Sequence, residues 1–292
     1  METVTTEQRN RRERRFRFGR GMFRALRGVS VASTGIAVLA LFAVIIYVLV
    51  GGAGKLSWQL LLGAYRGDQV SILPAFIGTL ELVLIAAVIA VPIGIGSAIY
   101  LVEYMNNKGK LVKVIRVATE TLAGIPSIVY GLFGYLVFVV SFGWGYSLLG
   151  GGITLAVMIL PVIVRSTEES LLAVPDGFRE GSYALGASKV RTIFRVVLPS
   201  AAPGIVTAMI LAVGRVVSES AVLILTVGMV VNLVPVTPMS SGTSLALDIY
   251  YFASHGYPNE AATAVVLLVF VVCLNLLAGG VGKLMKKGMG ET

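Results

Sequence analysis

Two stretches of this chain carry residue types that could do chemistry among otherwise apolar sequence. In "AMILAVGRVVSESAVLILTVG" (208–228), Arg215 and Glu219 stand four apart, flanked by Ser218 and Ser220. On a continuous helix that spacing puts both charges on one face. A charge at the centre of a bilayer costs at least about 2.5–3.5 kcal/mol on insertion scales, so neither side chain should face lipid. Two roles suit the pair. It can hold helices in register by internal neutralisation. Alternatively, Arg215 lines a path and presents its planar fork to a tetrahedral oxyanion, Glu219 steadies the Arg, and the serines add hydroxyl donors. The general behaviour of intramembrane charge favours the second role. The other stretch is "EGSYALGASKVRTIFRVVLP" (180–199), which sets two glycines, four charges and a closing proline between long apolar runs.

Motifs for catalysis are absent. No G-x-x-x-x-G-K-[ST] occurs, so the chain carries no ATP-hydrolysing loop of its own, and there is no H-E-x-x-H, G-x-S-x-G or second histidine for a Ser-His pair. The single His255 has no Cys or carboxylate ligands beside it, and no metal site is expected. Cys273 is the only cysteine, which excludes a disulfide within the chain; it is expected to pack as a small buried apolar side chain.

The elements that must position these residues are membrane helices. Of 292 residues 56% are hydrophobic and 13% charged, with a mean hydropathy of +0.87, outside the range of soluble domains. Runs long enough to cross a bilayer fall at roughly 29–50, 72–102, 116–142, 148–166, 200–231 and 260–282. Uninterrupted apolar runs satisfy their own backbone only as helices, so the expected fold class is an all-α membrane protein with six transmembrane helices. The implied organisation is a basic N-terminal tail (1–28), a first helix and outer loop (29–71), a core (72–282) and a short C-terminal tail (283–292).

The net charge of +9 follows this topology. Nine Lys and Arg precede Gly28, four lie in 108–116, five in 165–195 and three in 283–287. With six spans these segments share one side, which the positive-inside rule makes the cytoplasm, with both termini there. Charge placed this way speaks for topology and against nucleic acid. The Arg-rich head orients the first helix and suits anionic membrane lipid.

The 180–199 stretch then lies in a cytoplasmic loop, 167–199, between the fourth and fifth spans. Pro175-Asp176 starts a short helix, Gly186 stops it after about three turns, and Ser188 caps a second helix that Pro199 and Pro203 interrupt on the way into the membrane. A knob of this kind suits a partner's groove, with Tyr183 and Leu185 inside it and Arg179 and Glu180 at its rim. It equally suits an amphipathic helix lying on lipid.

A resemblance separates these two. Glu180, Gly186, Leu198 and Pro199 match the spacing of the EAA loop of ABC importer permeases, with Val196 at the isoleucine position and Gly181 and Ser182 replacing alanines. With "PAFIGTLELVLIAAVIAVPIGIGSAIYLVEY" (74–104) and "ETLAGIPSIVYGLFG" (120–134), the chain resembles the phosphate-specific permeases, the PstA-like branch in particular. The resemblance implies a type I (MetI-like) importer permease in a prokaryotic plasma membrane, with no cofactor of its own because ATP binds a partner. It implies as partners a second, PstC-like permease, two PstB-like ATPase subunits that hold Arg179, Glu180, Tyr183, Leu185 and Gly186, and an extracytoplasmic PstS-like phosphate-binding protein. Arg215 and Glu219 match that family's Arg-x-x-Gly-Glu-Thr pattern, whereas Ser218 and Ser220 replace its Gly and Thr. These replacements leave a sulfate or molybdate permease open. An ion-coupled secondary transporter, in which Glu81 or Glu219 carries a proton, is the alternative from another class. Glu81 has three candidate settings: beside Arg215, beside Arg165, or in a watery vestibule.

Overall fold

The computed structural model describes residues 6–63, 70–105, 109–257 and 259–288. It divides into two units, residues 1–51 and 52–292. The first is essentially one helix, α1 (Thr6–Gly52). The basic head, expected as a tail, is therefore helical from Thr6 onwards.

The second unit contains the short α2 (Trp58–Leu62), whose first turn is capped by Ser57, and then a bundle. α3 (Leu73–Ile99) continues through a wide π turn, Tyr100–Tyr104, so that one helical rod of 32 residues spans about 48 Å. α6 (Leu148–Leu172) lies against it with small residues at the crossing. A Cβ on Gly94 would come within 2.6 Å of Ile163, and one on Gly152 within 2.5 Å of Ile85. Around these contacts Leu82, Ala86, Leu155, Ile159, Val216 and Leu223 form the main buried cluster.

The expected span at 116–142 is broken. α4 (Lys110–Ala123) stops at Gly124, and α5 (Ser127–Gly134) departs at 96° before a π turn over Tyr135–Ser141. The cause is local: Pro126 has no N–H to continue the α4 ladder and holds the preceding residue out of the α region. Counting this bent pair as one, the described residues contain six membrane-spanning segments, the others being Leu26–Lys55, Leu73–Tyr104, Leu148–Leu172, Lys189–Val217 and Glu260–Met285.

Two further differences concern the fifth span and its approach. Pro199 and Pro203 do not interrupt it. From α8 (Lys189–Thr192) the chain passes through a π turn, Ile193–Val197, directly into α9 (Leu198–Val217), with Pro199 in its first turn, where no N–H partner is needed. The span also ends early, at Val217; α10 (Ala221–Thr226) is a separate short helix. The last span, α12 (Glu260–Gly288), exposes Cys273 on its surface, where a buried thiol was expected.

Between α10 and α12, α11 (Leu245–His255) lies outside the spans and docks on the start of α3. The Thr79 hydroxyl donates to the Ala75 carbonyl at 2.7 Å and accepts the Leu245 N–H at 3.0 Å. In the same turn the Thr243 hydroxyl donates to Asp248 Oδ1 at 2.5 Å, while Oδ2 is buried without a hydrogen-bond partner. Burial pushes the Asp248 carboxyl up to about 7, against the opposing effect of the Thr243 bond. The folded chain thus holds this proton more tightly than the unfolded one, whose carboxyl titrates near 3.9. The stabilisation is complete below about pH 4, is lost as the pH rises towards about 7, and changes no further above it. Asp248→Asn should abolish this component, whose slope is at most about 1.4 kcal/mol per pH unit. Melting temperatures of parent and variant at pH 5 and pH 8 check it: the parent should lose more on going to pH 8.

Candidate functional site: coupling loop and pathway

The loop after α6 builds its knob from local signals. Pro175 holds an extended conformation before α7 (Asp176–Ala184), and Asp176 places a negative charge in the first turn, where the helix dipole favours it. At the other end Gly186 has φ +81, the left-handed region that glycine enters without a side-chain penalty. Its N–H donates to the Tyr183 carbonyl at 2.9 Å, and the Ala187 N–H donates to the Ser182 carbonyl at 3.1 Å. Together they form a Schellman stop. Ser188 then caps α8 by accepting the Arg191 N–H, and the Ser182 and Thr192 hydroxyls, 2.9 Å apart, tie α7 to α8.

No residue of α7 is buried within this chain. Glu180 and Tyr183 are exposed, and Leu185, at 90% exposure, projects beside Gly186. Phe178, absent from the expected set, is 54% exposed on the same short helix. Its signal was an aromatic residue in a polar helix that has no core to enter. The knob thus leaves three large side chains in the open, Phe178 also standing on the wall of a cavity between α6 and α9.

Arg179 departs from the expectation of a rim contact. Its side chain is only 14% exposed and turns inwards. Nε and Nη2 donate to Glu103 Oε1 at 3.1 and 2.9 Å, Nη2 also to the Leu171 carbonyl at 3.0 Å, and Nη1 to the Val174 carbonyl at 2.8 Å and Asp176 Oδ1 at 3.2 Å. Glu103 belongs to the π turn that ends α3, 76 residues away in sequence, a separation at which local pattern carries no signal.

The Arg215 region also differs from the helical pair expected. α9 ends between the two charges, with Ser218 at its C-cap, so Arg215 and Glu219 do not share one helical face. Glu219 instead caps α10, Oε1 accepting the N–H groups of Ala221 at 3.0 Å and Val222 at 3.4 Å. The Ser218 hydroxyl donates to the Gly214 carbonyl at 2.6 Å and remains exposed, while Ser220 begins the α10 turn without a side-chain cap bond. Arg215 makes no ion pair among the described residues and is exposed on the surface of the single chain. Its position in the last turn of α9 opposes the negative end of the helix dipole. Nearby, the Tyr130 hydroxyl donates to the Leu122 carbonyl across the α4–α5 break at 2.8 Å.

Depth follows from helix geometry. Gly204 of α9 touches Ser170 near the loop end of α6. Arg215 lies eleven residues further on, about 16 Å along the helix, level with the middle of α6. Below it a cavity of about 880 Å³ opens between α6 and α9, lined among others by Ser166, Ser170, Ser200, Gly204, Thr207 and Leu211. Leu211 is one helical turn from Arg215.

Glu81 pairs with neither candidate arginine. Its Oε2 is buried with no hydrogen-bond partner, whereas Arg165 is held by Glu120 at 3.4 Å and Glu169 at 3.1 Å. Arg116 and Glu168 form a second ion pair between α4 and α6, with Arg116 Nε donating to Glu168 Oε1 at 2.6 Å. Sequence reasoning passed over this pair because neither residue belongs to a recognisable motif.

This architecture has relatives. Residues 90–291, more than half of the chain, match the family described as binding-protein-dependent transport system inner membrane component. The probable ABC transporter permease protein YqgI of Bacillus subtilis (strain 168) is 34% identical over 290 residues, covering 91% of this chain and 95% of that protein. The phosphate transport system permease protein PstA 1 of Mycobacterium tuberculosis (strain ATCC 25618 / H37Rv) is 38% identical over 208 residues, 70% of this chain and 67% of that one. Among solved structures, a bacterial alginate ABC transporter in complex with an alginate-bound periplasmic protein aligns with a TM-score of 0.62 at 16% identity, covering 86% of this chain and 90% of the other. An inward-facing MetNI methionine ABC transporter aligns with a TM-score of 0.58 at 22% identity, covering 73% and 94%. At those identities the structures speak for the fold alone. A broken-span helical bundle with an exposed loop knob, matched along most of its length by such relatives, places the chain in a family: it belongs to the binding-protein-dependent transport system inner membrane components, as a PstA-like permease subunit of an ABC importer.

Proposed function

We propose that this permease carries inorganic phosphate into the cytoplasm, driven by ATP hydrolysis on a separate subunit. The observation that carries the reading is Arg215: an arginine without an ion pair among the described residues, level with the middle of α6 and one turn above an open, largely apolar cavity whose wall carries the hydroxyls of Ser166, Ser170, Ser200 and Thr207 together with Glu169. A face that carries such a charge is costly against lipid and suits a watery path or a neighbouring subunit. The planar guanidinium forms paired hydrogen bonds to a tetrahedral oxyanion. Glu219, occupied with capping α10, does not neutralise the arginine, which leaves the charge for the cargo.

The PstA relatives, phosphate transport permeases by name, support phosphate as that cargo. The company proposed with it is a PstC-like second permease, two PstB-like ATPase subunits and a PstS-like binding protein. In this assembly Glu180, Tyr183, Leu185 and Phe178 meet the ATPase. ATP binds there and not to this chain. The Lys- and Arg-rich segments then lie on the cytoplasmic side with both termini. Closure of the ATPases rocks the helices, and phosphate delivered at the far end passes Arg215 into the α6–α9 cavity.

The test is uptake of labelled phosphate by the reconstituted complex in competition with sulfate and molybdate. A tenfold excess of either anion should leave phosphate uptake within about twofold of its uncompeted rate. Strong competition by sulfate or molybdate would assign the path to another oxyanion, a reading that Ser218 and Ser220, in place of the family's Gly and Thr, make worth testing.

A further inference from the structure

We infer that Arg179 and Glu103 are positioning residues that carry the movement of the coupling loop into α3, and through α3 to the opposite end of the bundle. The inference rests on the reading that α7 meets the ATPase, and adds how a push there travels. A knob joined only to the helices before and after it in sequence would move α6 and α9 alone. Here both arms of the knob hold a third helix. From α7, the Arg179 guanidinium directs two N–H groups at Glu103 Oε1, with the pair 14% and 6% exposed. From α8, Lys189 Nζ stands 4.8 Å from the centre of the Tyr104 ring. Glu103 and Tyr104 are adjacent in the π turn Tyr100–Tyr104 that ends α3.

The guanidinium also fixes its own base. It donates to the Leu171 and Val174 carbonyls at the end of α6 and to Asp176 at the start of α7, so it cannot swing away from Glu103 without abandoning all of them. Lysine, with one ammonium in place of a planar fork, cannot reproduce this set. α3 then acts as the rod. It packs along α6, and at its other end Gly78 lies against the Thr243 backbone while Thr79 accepts the Leu245 N–H. A displacement of the Tyr100–Tyr104 turn is thereby felt at the turn that holds α11.

The experiment uses the full complex with a Cys273→Ser, Leu73→Cys permease, which places a single thiol at the α11 end of α3. The maleimide labelling rate of that thiol is read with and without ATP and vanadate, alongside co-purification of the ATPase and its hydrolysis rate. In the parent, nucleotide should change the labelling rate at least threefold. Glu103→Gln and Arg179→Lys should each reduce that change to less than about 1.5-fold, with ATPase retained and hydrolysis within about twofold of the parent. Glu103→Asp should restore most of it. A merely structural role would lower assembly and hydrolysis together and leave the nucleotide response of the assembled fraction intact. The inference is overturned if Glu103→Gln keeps the parental response, or if the parent shows none. Failure of the parent complex to retain the ATPase would instead defeat the docking reading on which it rests.

Discussion

Arg215→Ala should reduce phosphate uptake by about a hundredfold or more, while the complex assembles and its ATPase still responds to the binding protein. The size follows from what alanine removes. A charge-assisted, two-pronged hydrogen bond to an oxyanion is roughly twice as strong as a neutral one, and alanine offers the anion nothing in its place. About 2.7 kcal/mol of lost stabilisation of the passing anion corresponds to a hundredfold in rate. The fold should tolerate the change, because the arginine makes no ion pair among the described residues and its side chain is exposed in the single chain. Arg215→Lys should fall between the two, since the charge survives and the fork does not. Labelled uptake into proteoliposomes, normalised to complex content, checks the series. Parental uptake in Arg215→Ala would remove the arginine from the path.

The second large effect concerns the knob. Leu185→Asp should abolish retention of the ATPase without changing the thermal stability of the isolated permease by more than a degree or two. Leu185 is 90% exposed, so the folded chain gains little from it, yet an apolar side chain at the centre of a protein interface can be worth more than 2 kcal/mol. A carboxylate there must also be desolvated when the partner closes over it. Gly186→Val should produce the same loss by another route. Its φ of +81 is unfavourable for a β-branched residue, and the Schellman stop that aims Leu185 would open. Pull-down of the ATPase from detergent extracts, with melting curves of the permease alone, separates lost docking from lost folding.

The parts of the fold that read directly from sequence are those with a local code. The apolar runs gave the spans, and the pair Pro175-Asp176 with Gly186 bounded α7 to within a residue or two. Pro126 is a residue that can bend its span, but the size of the break there, 96°, and the end of α9 at Val217 are not legible, for a related reason. Each lies inside a long apolar stretch, where hydropathy sees one span and only a short polar or proline signal marks the interruption. Ser218-Glu219-Ser220 is a capping sequence, since Glu219 serves the N–H groups of Ala221 and Val222. Read as part of one helix, it suggested a pair with Arg215 that the chain does not form.

Arg179 illustrates what no local pattern can supply. Its spacing on α7 suits a rim contact, yet a carboxylate 76 residues earlier captures it, because a guanidinium beside three buried acceptors gains more there than in water. Glu103, Phe178 and the Arg116–Glu168 pair were likewise invisible until the helices were placed side by side. The exposed thiol of Cys273 has a simpler cause. A membrane helix need not bury its apolar residues within its own chain, so burial could not be inferred from hydrophobicity.

In the proposed mechanism an external ATP-driven motor, gripping the α7 knob, moves phosphate past Arg215. The most direct measurement is accumulation of labelled phosphate by the reconstituted assembly, with the binding protein on the side opposite the ATPase. Under the account, accumulation requires hydrolysable ATP at the ATPase, stops with a non-hydrolysable analogue, and does not respond to an imposed pH gradient. Accumulation driven by a proton gradient without ATP would contradict it, and would make this chain an ion-coupled carrier in which Glu81, with its unpaired buried oxygen, becomes the residue to examine.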